Sequence, residues 1–313
     1  VYAAALSHGY SPVSVLSHLD TVSAPGDPEW SPRNVGHDQS PQLTLRAALI
    51  ESNNAAAADL LQKIGARTVL GLAGDAGLAG LPDVPSLALG TGEVTPLDLT
   101  AAYTMFPGGG EVARPRGMLG VFDANGTQVF DQPVARRRVI EADAAFQMVS
   151  MLRDVIDRGT GLPARALGVR GPVGGKTGTT DDYHDGWFVG FSSSVVAGVW
   201  VGFDQPASIG RDAYGARVAL PIWAEFMKGV SARLPASDFA VPESLRVEDL
   251  CSVSYLRPVD GCPVYHEYFK KGDPVPSQLC TIHQGSLKQR AARVVEGVFR
   301  SLGGKIAGLF GRH

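Results

Sequence analysis

The sequence predicts a mixed α/β (α+β) fold, an antiparallel sheet flanked by helices, and three observations carry that expectation. Helical patterns come first, strand patterns follow between Val173 and Phe203, and a helix over Leu220 to Val230, holding Trp223, Phe226 and Met227, closes the block. Two strand-length apolar runs, Trp187 to Phe191 and Val195 to Phe203, are separated by Ser192-Ser193-Ser194, the pattern of an antiparallel pair. From Glu141 to Arg158 apolar residues recur at Phe146, Val149, Leu152, Val155 and Ile156, the spacing of one helix face, and Gly159 ends the run. The chain has 313 residues, enough for one large domain or two moderate ones, and shows no internal repeat at solenoid periods.

The segment Val1-Tyr2-Ala3-Ala4-Ala5-Leu6 reads as the inside of a helix. It lacks the charged stretch and cleavage pattern of a signal peptide, so the natural start is expected upstream. A Pro/Ser/Gly-rich connection covers Ser23 to Pro41. Thr44-Leu45 then opens a helical run through Arg46, Ala48, Leu49 and Ile50. A second run, Ala55 to Ile64, ends at Gly65, where a left-handed stop suits a residue without a Cβ. Thr95-Pro96-Leu97-Asp98 is a strong helix start: threonine caps, proline suits the first helical position, and aspartate favours the positive end of the dipole. That helix is expected to reach about Phe106 and to break at Pro107-Gly108-Gly109-Gly110. Between Met118 and Phe130, two strand-like runs flank Asn125-Gly126, a favoured two-residue hairpin turn.

Bulk properties exclude some functions. The net charge is −3, so no overall basic field gathers nucleic acid. No apolar run approaches bilayer-spanning length; the longest, around Val195 to Phe203, is strand-sized and interrupted by Gly198 and Gly202. Three cysteines, Cys251, Cys262 and Cys280, lie in the last quarter with no C-x-x-C pair, and on that count no metal site is expected. Two of them could close a loop in an oxidising compartment, and three reduced thiols fit the composition equally well.

The segment Lys176-Thr177-Gly178-Thr179-Thr180 carries the most chemistry. A lysine on an edge strand projects a fixed cation into a cleft, and threonine hydroxyls on a glycine-spaced backbone can hydrogen-bond a carboxylate beside it. An exposed lysine in a Gly/Thr turn is the bland alternative. A phosphate-binding loop is disfavoured: Gly175-Lys176-Thr177 matches its end, but Arg170 stands where its first glycine belongs, and the following residues are strand-like, not helical. Ser52-Asn53-Asn54, between two helical runs, could face a cleft through Ser52 and Asn54 or could cap the second helix. S-x-N and K-T-G together are two of the three elements found in penicillin-binding proteins and class A β-lactamases.

With those motifs in order, the chain resembles class A penicillin-binding proteins from Val1 to about Val230. Gly90-Thr91-Gly92-Glu93-Val94-Thr95-Pro96-Leu97-Asp98, Gly159-Thr160-Gly161 and Asp185-Gly186-Trp187-Phe188-Val189-Gly190 carry the resemblance alongside S-x-N and K-T-G. It implies the penicillin-binding/serine β-lactamase-like transpeptidase fold, an antiparallel sheet flanked by helices plus a helical subdomain. Residues 1–233 would form a transpeptidase domain lacking its N-terminal part, and 234–313 a cysteine-bearing extension with a basic amphipathic tail. The family's nucleophile motif is S-x-x-K, and no serine here has a lysine three residues on. Ser150, Ser208 and Ser254 have arginine there, which cannot lose a proton at ordinary pH. Because Val1 to Leu6 resembles the helix that follows S-x-x-K-P, the nucleophilic serine and basic lysine are expected just upstream of Val1.

The resemblance implies a DD-transpeptidase that needs no cofactor, acts at the extracytoplasmic face of the bacterial membrane, and takes peptidoglycan stem peptides and β-lactams. An upstream glycosyltransferase domain and membrane anchor come with it. Ser52 would relay a proton, Asn54 would bind the substrate backbone, and Lys176 would supply positive potential. Thr177 and Thr179 on either side of Gly178 would bind a carboxylate, and the Thr179 N–H would form half of an oxyanion hole. A serine β-lactamase or β-lactam sensor on the same fold, and a non-catalytic cell-wall interaction module, are the rival readings. The run Asp181, Asp182, His184, Asp185 is read as loop-ordering, since neighbours on a strand point to opposite faces and cannot converge on one ion. By resemblance Cys262 and Cys280 would pair as a disulfide. The stretch from Ser286 to Phe310 has an apolar helical face that could lie on a membrane, dock on its own domain or fray.

Overall fold

The computed structural model describes residues 1–24, 30–34, 40–234 and 237–283. Two compact units divide the chain, the first Val1–Ser244 and the second starting at Leu245. The amphipathic stretch from Ser286 to Phe310 lies outside the described residues.

In the first unit α1 (Tyr2–Ser7) leads into strand β1 (Val15–Ser17), which pairs antiparallel with β2 (Gln42–Thr44). Helices α2 (Leu45–Glu51), α3 (Asn54–Ile64) and α4 (Ala66–Asp75) follow almost without connection. Thr44 starts α2 by accepting the Ala47 N–H at 3.2 Å. Gly65 separates α3 from α4 at φ 85°, but with an extended ψ of 137°, so the chain turns into α4 without completing a left-handed cap. That third helix was not expected; its two interior glycines, Gly71 and Gly74, and short apolar face give little sequence signal. α5 (Pro96–Tyr103) has the expected start, with Thr95 Oγ1 accepting the Asp98 N–H at 3.0 Å, and passes into turns through Gly110 three residues earlier than expected.

Short antiparallel pairs follow: β3 (Glu111–Ala113) with β6 (Arg136–Arg138), and nested between them β4 (Gly120–Phe122) with β5 (Gln128–Asp131). The hairpin turn around Asn125-Gly126 is longer than two residues. Asp123 Oδ1 accepts the N–H groups of Asn125 and Thr127, both at 2.8 Å, and this side-chain-built turn overrides the dipeptide preference. The long helix α6 (Ala142–Arg158) and the short α7 (Pro163–Ala166) precede the central sheet.

That sheet is antiparallel in the order β7 (Gly174–Thr179), β8 (Gly186–Phe191), β9 (Val196–Val201), so the expected strand pair is present and Lys176 stands on an edge strand. α8 (Gly215–Val218) and α9 (Leu220–Ser231) close the block. Alternation along β8 sends Phe188 to one face, where its ring lies 4.7 Å from that of Trp223 on α9. Phe191 goes to the other face, beside Phe106 beyond α5. The sheet is thus sandwiched, with α8 and α9 on one side and α5 and α6 on the other. Close approach rests on missing side chains: a Cβ on Gly190 would sit 2.6 Å from the Trp223 ring. Phe188, Trp223, Ile156, Val173, Leu220 and Met227 fill the core beneath.

One polar joint is buried in this frame. Arg46 on α2 is 1% exposed; its Nη1 donates to Asp154 Oδ2 at 2.7 Å and its Nη2 to Ser150 Oγ at 2.9 Å, both on α6. Arg158, one turn on, donates to the same Asp154 oxygen at 2.6 Å.

The second unit contains β10 (Arg246–Cys251) and β11 (Val264–Phe269), an antiparallel hairpin in continuous register from Arg246↔Phe269 to Cys251↔Val264. The disulfide between Cys262 and Cys280 implied by the resemblance is not formed: all three cysteines are free thiols.

Removing one partner of a buried ion pair strands the other, so Asp154→Ala should cost about 3–5 kcal/mol of stability. Arg46→Met removes the buried charge itself and leaves Asp154 paired with Arg158, so it should cost less. Urea unfolding of both variants checks this; equal losses would show that the cost does not come from leaving a buried guanidinium without its carboxylate.

Candidate active site

Ser52 sits where α2 ends. The Asn53 N–H donates to the Ala48 carbonyl at 2.9 Å and the Ser52 N–H to the Leu49 carbonyl at 3.2 Å, a turn whose left-handed position usually holds glycine. Ser52 itself occupies that position at φ 56° and ψ 46°. A non-glycine residue held there costs about 1–3 kcal/mol, which such a site tolerates only where the surroundings fix it. The cap of α3 belongs to its neighbour: Asn53 Oδ1 accepts the Ala56 N–H at 2.9 Å. The helix-cap alternative for Ser52 is thereby overturned.

From β7, Lys176 Nζ donates to Ser52 Oγ at 2.7 Å and to the Thr177 carbonyl at 2.9 Å. Burial pushes the ammonium down to about 8, because desolvation disfavours the charged form. An ammonium can only donate, so Ser52 Oγ accepts from it and keeps its own proton to give elsewhere.

Both faces of β7 are pressed close. A Cβ on Gly174 would lie 2.8 Å from the Phe191 ring and one on Gly175 2.8 Å from the Phe188 ring, which explains the glycines ahead of the lysine. At the far end the Thr180 N–H donates to the Asp185 carbonyl at 3.2 Å. Antiparallel alternation then turns the N–H and C=O groups of Gly178 and Lys176 toward β8 and those of Thr177 and Thr179 toward the open edge. The Lys176 contact with the Thr177 carbonyl agrees with that direction. Thr179 Oγ1 accepts the Gly215 N–H at 3.0 Å, so its own proton is what the hydroxyl has left to offer a carboxylate.

Other expected residues divide. The contacts of Asn54 are with the preceding connection and not with the lysine: its Nδ2 donates to the Arg33 carbonyl at 2.6 Å and its N–H to Asn34 Oδ1 at 2.7 Å. Thr160, which sequence reasoning gave no role, meets Thr177 hydroxyl to hydroxyl at 3.1 Å. Its N–H donates to the Ile50 carbonyl at 3.4 Å, tying the end of α6 to the end of α2. Gly159 permits this approach, since a Cβ there would lie 2.6 Å from the Ile50 oxygen. Asp185 orders the β7–β8 hairpin: its Oδ1 accepts from Trp200 Nε1 at 2.7 Å and its Oδ2 from Thr180 Oγ1 at 3.0 Å. Asp181–Tyr183 is a 3₁₀ turn, not the strand start expected there. A cavity of about 440 Å³ lined by Thr100, Thr104, Arg114, Arg136 and Ser193 lies elsewhere and touches none of these groups. The candidate site is an open sheet edge.

Comparison with known proteins agrees on the class. A family model described as the penicillin binding protein transpeptidase domain matches residues 1–228, and the chain belongs to that family. Within it, the relatives are of the 1A type, in class A. Penicillin-binding protein 1A of Aquifex aeolicus is 42% identical over 277 residues, covering 87% of this chain and 38% of the relative. Penicillin-binding protein 1A of Pseudomonas aeruginosa is 32% identical over 334 residues, covering 88% of this chain and 40% of the relative. The chain therefore spans about two fifths of the length of these relatives. The crystal structure of penicillin-binding protein 1A from Haemophilus influenzae superposes with a TM-score of 0.80 at 26% identity, covering 89% of this chain and 47% of that one. An imipenem acyl-enzyme complex of penicillin-binding protein A from M. tuberculosis shares the fold at a TM-score of 0.61 and 20% identity, over 73% of this chain and 58% of that one.

A lysine with a folded-state pKa near 8 and an unfolded one near 10.5 should make stability rise with pH between those values, because there the unfolded chain binds the extra proton. Lysine Cε NMR should show Lys176 titrating near 8, and Ser52→Ala should lower that midpoint by removing an acceptor from the ammonium. A midpoint at the ordinary lysine value would show the site to be solvated.

Proposed function

We propose that this chain is the transpeptidase part of a class A penicillin-binding protein, with the first unit carrying the catalytic domain expected over residues 1–233 and the second an extension. The join falls at Ser244–Leu245 instead of 233/234, because Asp238 and Phe239 still bind Arg153 and Phe191. Its reaction is DD-transpeptidation of peptidoglycan: a serine attacks the penultimate carbonyl of a D-Ala-D-Ala stem, D-alanine leaves, and an amine of a neighbouring stem takes the acyl group. The covalent intermediate divides one difficult amide exchange into two easier steps. The observation that carries the reading is the 2.7 Å bond from Lys176 Nζ to Ser52 Oγ beside an open strand edge.

Lys176 brings positive charge to where a terminal carboxylate or the carboxylate of a β-lactam would lie, and the Thr177 and Thr179 hydroxyls add directed donors. Ser52, accepting from the ammonium, can pass its proton to the leaving amine and take one from the attacking serine's side. The Thr179 N–H, turned to the open edge, suits one half of an oxyanion hole. Asn54 Oδ1 would accept from the substrate backbone. No S-x-x-K stands in residues 1–313, so the attacking serine and its lysine are assigned to sequence N-terminal to Val1. The glycosyltransferase domain, the membrane anchor and the extracytoplasmic location belong to the same reading. Among the described residues, no helix is long and apolar enough to cross a membrane.

In the full-length protein a fluorescent penicillin should form an adduct upstream of Val1, and residues 1–313 alone should form none. Lys176→Ala should slow acylation by about two orders of magnitude or more with little change in melting temperature. An adduct on any serine in this chain would overturn the assignment.

Ser52→Ala should slow acylation by about 10²–10⁴-fold, the range for losing a positioned acid–base group. Its melting temperature should hardly move, because Asn53 does the capping. A normal rate would remove Ser52 from the chemistry.

A further inference from the structure

The three cysteines and one histidine of the second unit meet at a point. Cys251 ends β10, Cys262 lies in the loop before β11, and Cys280 and His283 come from the segment after that strand. The returning segment is pinned in place by backbone bonds, with the Arg257 N–H donating to the Gln278 carbonyl at 3.0 Å and the Cys280 N–H to the Arg257 carbonyl at 2.7 Å. His283 Nδ1 lies 3.5 Å from the sulfur of Cys251, 3.3 Å from that of Cys262 and 3.2 Å from that of Cys280. The sulfurs of Cys251 and Cys280 are 3.7 Å apart, and all four donor atoms fall within 4.8 Å of one another.

We propose that Cys251, Cys262, Cys280 and His283 form a tetrahedral Cys₃His site for one structural zinc ion. Bond lengths of about 2.3 Å to sulfur and about 2.0–2.1 Å to nitrogen give tetrahedral edges of about 3.8 Å between sulfurs and about 3.6 Å from sulfur to nitrogen. The Cys251–Cys280 sulfur pair at 3.7 Å matches the first, and the sulfur–nitrogen distances of 3.2–3.5 Å lie slightly inside the second. Hydrogen bonding alone accounts poorly for the cluster: Nδ1 has a single donor or acceptor direction, and it faces three sulfurs at once. An ion at the centre would engage all four groups. Cys251 and Cys280 are fully buried and pack with Val259, while Cys262 and His283 are half-buried, so two ligands lie inside the small core and two at its rim. The Val259 N–H donates to the Cys262 sulfur at 3.3 Å, which fixes the direction of that sulfur.

Need and chemistry agree. An isolated two-stranded hairpin is marginal in water, and a unit this small seldom holds together on its core alone, so a staple is expected. Sulfur-rich tetrahedral donors select zinc over the hard cations that prefer oxygen. On loading, the three thiols give up their protons and the completed site carries a charge of −1.

The full-length protein, purified without chelator, should contain about one zinc per chain by mass spectrometric metal analysis. Cobalt exchanged into it should show thiolate-to-metal charge transfer and the intense visible bands of a tetrahedral ion. Cys280→Ser and His283→Ala should each lose most of the metal. Since those variants could also misfold, the denatured wild-type protein is alkylated without reductant and its peptides are mapped: zinc protection predicts that Cys251, Cys262 and Cys280 are all labelled. Only one of these three labelled, no bound metal and a cross-linked peptide pair lower by two hydrogens would establish a disulfide and overturn the proposal. Three thiols with no zinc and no cobalt spectrum after reconstitution would overturn it equally.

Discussion

The first unit depends on how closely aromatic rings approach the edge strand β7. Gly174 and Gly175 leave no side chain between the backbone and the rings of Phe191 and Phe188, so the strand lies flush in the sandwich while its outer edge stays open. Any Cβ at either position would push the strand away from its neighbours, and with it the lysine that follows. The rings are fixed from behind, Phe188 by Trp223 and Phe191 by Phe106 and Phe239. A well-packed core thus sets where a cation stands at the surface, and dense packing transmits position with little slack.

The second half of the candidate site arrives by a separate route. Ser52 belongs to the end of α2, and α2 is fastened to α6 by the buried guanidinium of Arg46 on Asp154. The Gly159-Thr160 step closes the same joint from the other end, through the Ile50 carbonyl and the Thr177 hydroxyl. A left-handed serine then brings its hydroxyl to Lys176. The cost of that backbone and the cost of a half-buried ammonium are offset by the packing of the block around them, a distribution common at reactive sites.

The second unit follows a different rule. It buries Leu250 and Phe269 on its hairpin and, separately, gathers its three cysteines with Val259 and Leu279 in a small cluster. Thiols placed at the centre of so small a core point to a cross-link or an ion as the organising element, and free thiols around one imidazole favour the ion.

Much of the fold was legible in the sequence. The capped start at Thr95, the amphipathic run of α6 and the paired strands β8 and β9 are local patterns, and each formed where its periodicity placed it. α4 and the short β3–β6 pair gave no such signal, because their stability comes from what they pack against. The turn near Asn125-Gly126 shows the same limit on a smaller scale, since Asp123 decided its length. At the site, K-T-G and S-x-N were visible as residue types, and the resemblance to a known family gave them an order. Only the tertiary structure brought Ser52 within 2.7 Å of Lys176, gave the cap of α3 to Asn53, and set Thr160 against Thr177. The cysteines make the point most sharply. Their spacing showed no C-x-x-C pair, and the overlooked Cys280-Thr-Ile-His283 became a pair of candidate ligands only when chain return placed Cys251 and Cys262 beside it. Local sequence fixes which residues can start, stop and pattern an element, because those preferences act within a turn or two. Which distant side chains share a site is decided by packing between elements far apart in the chain.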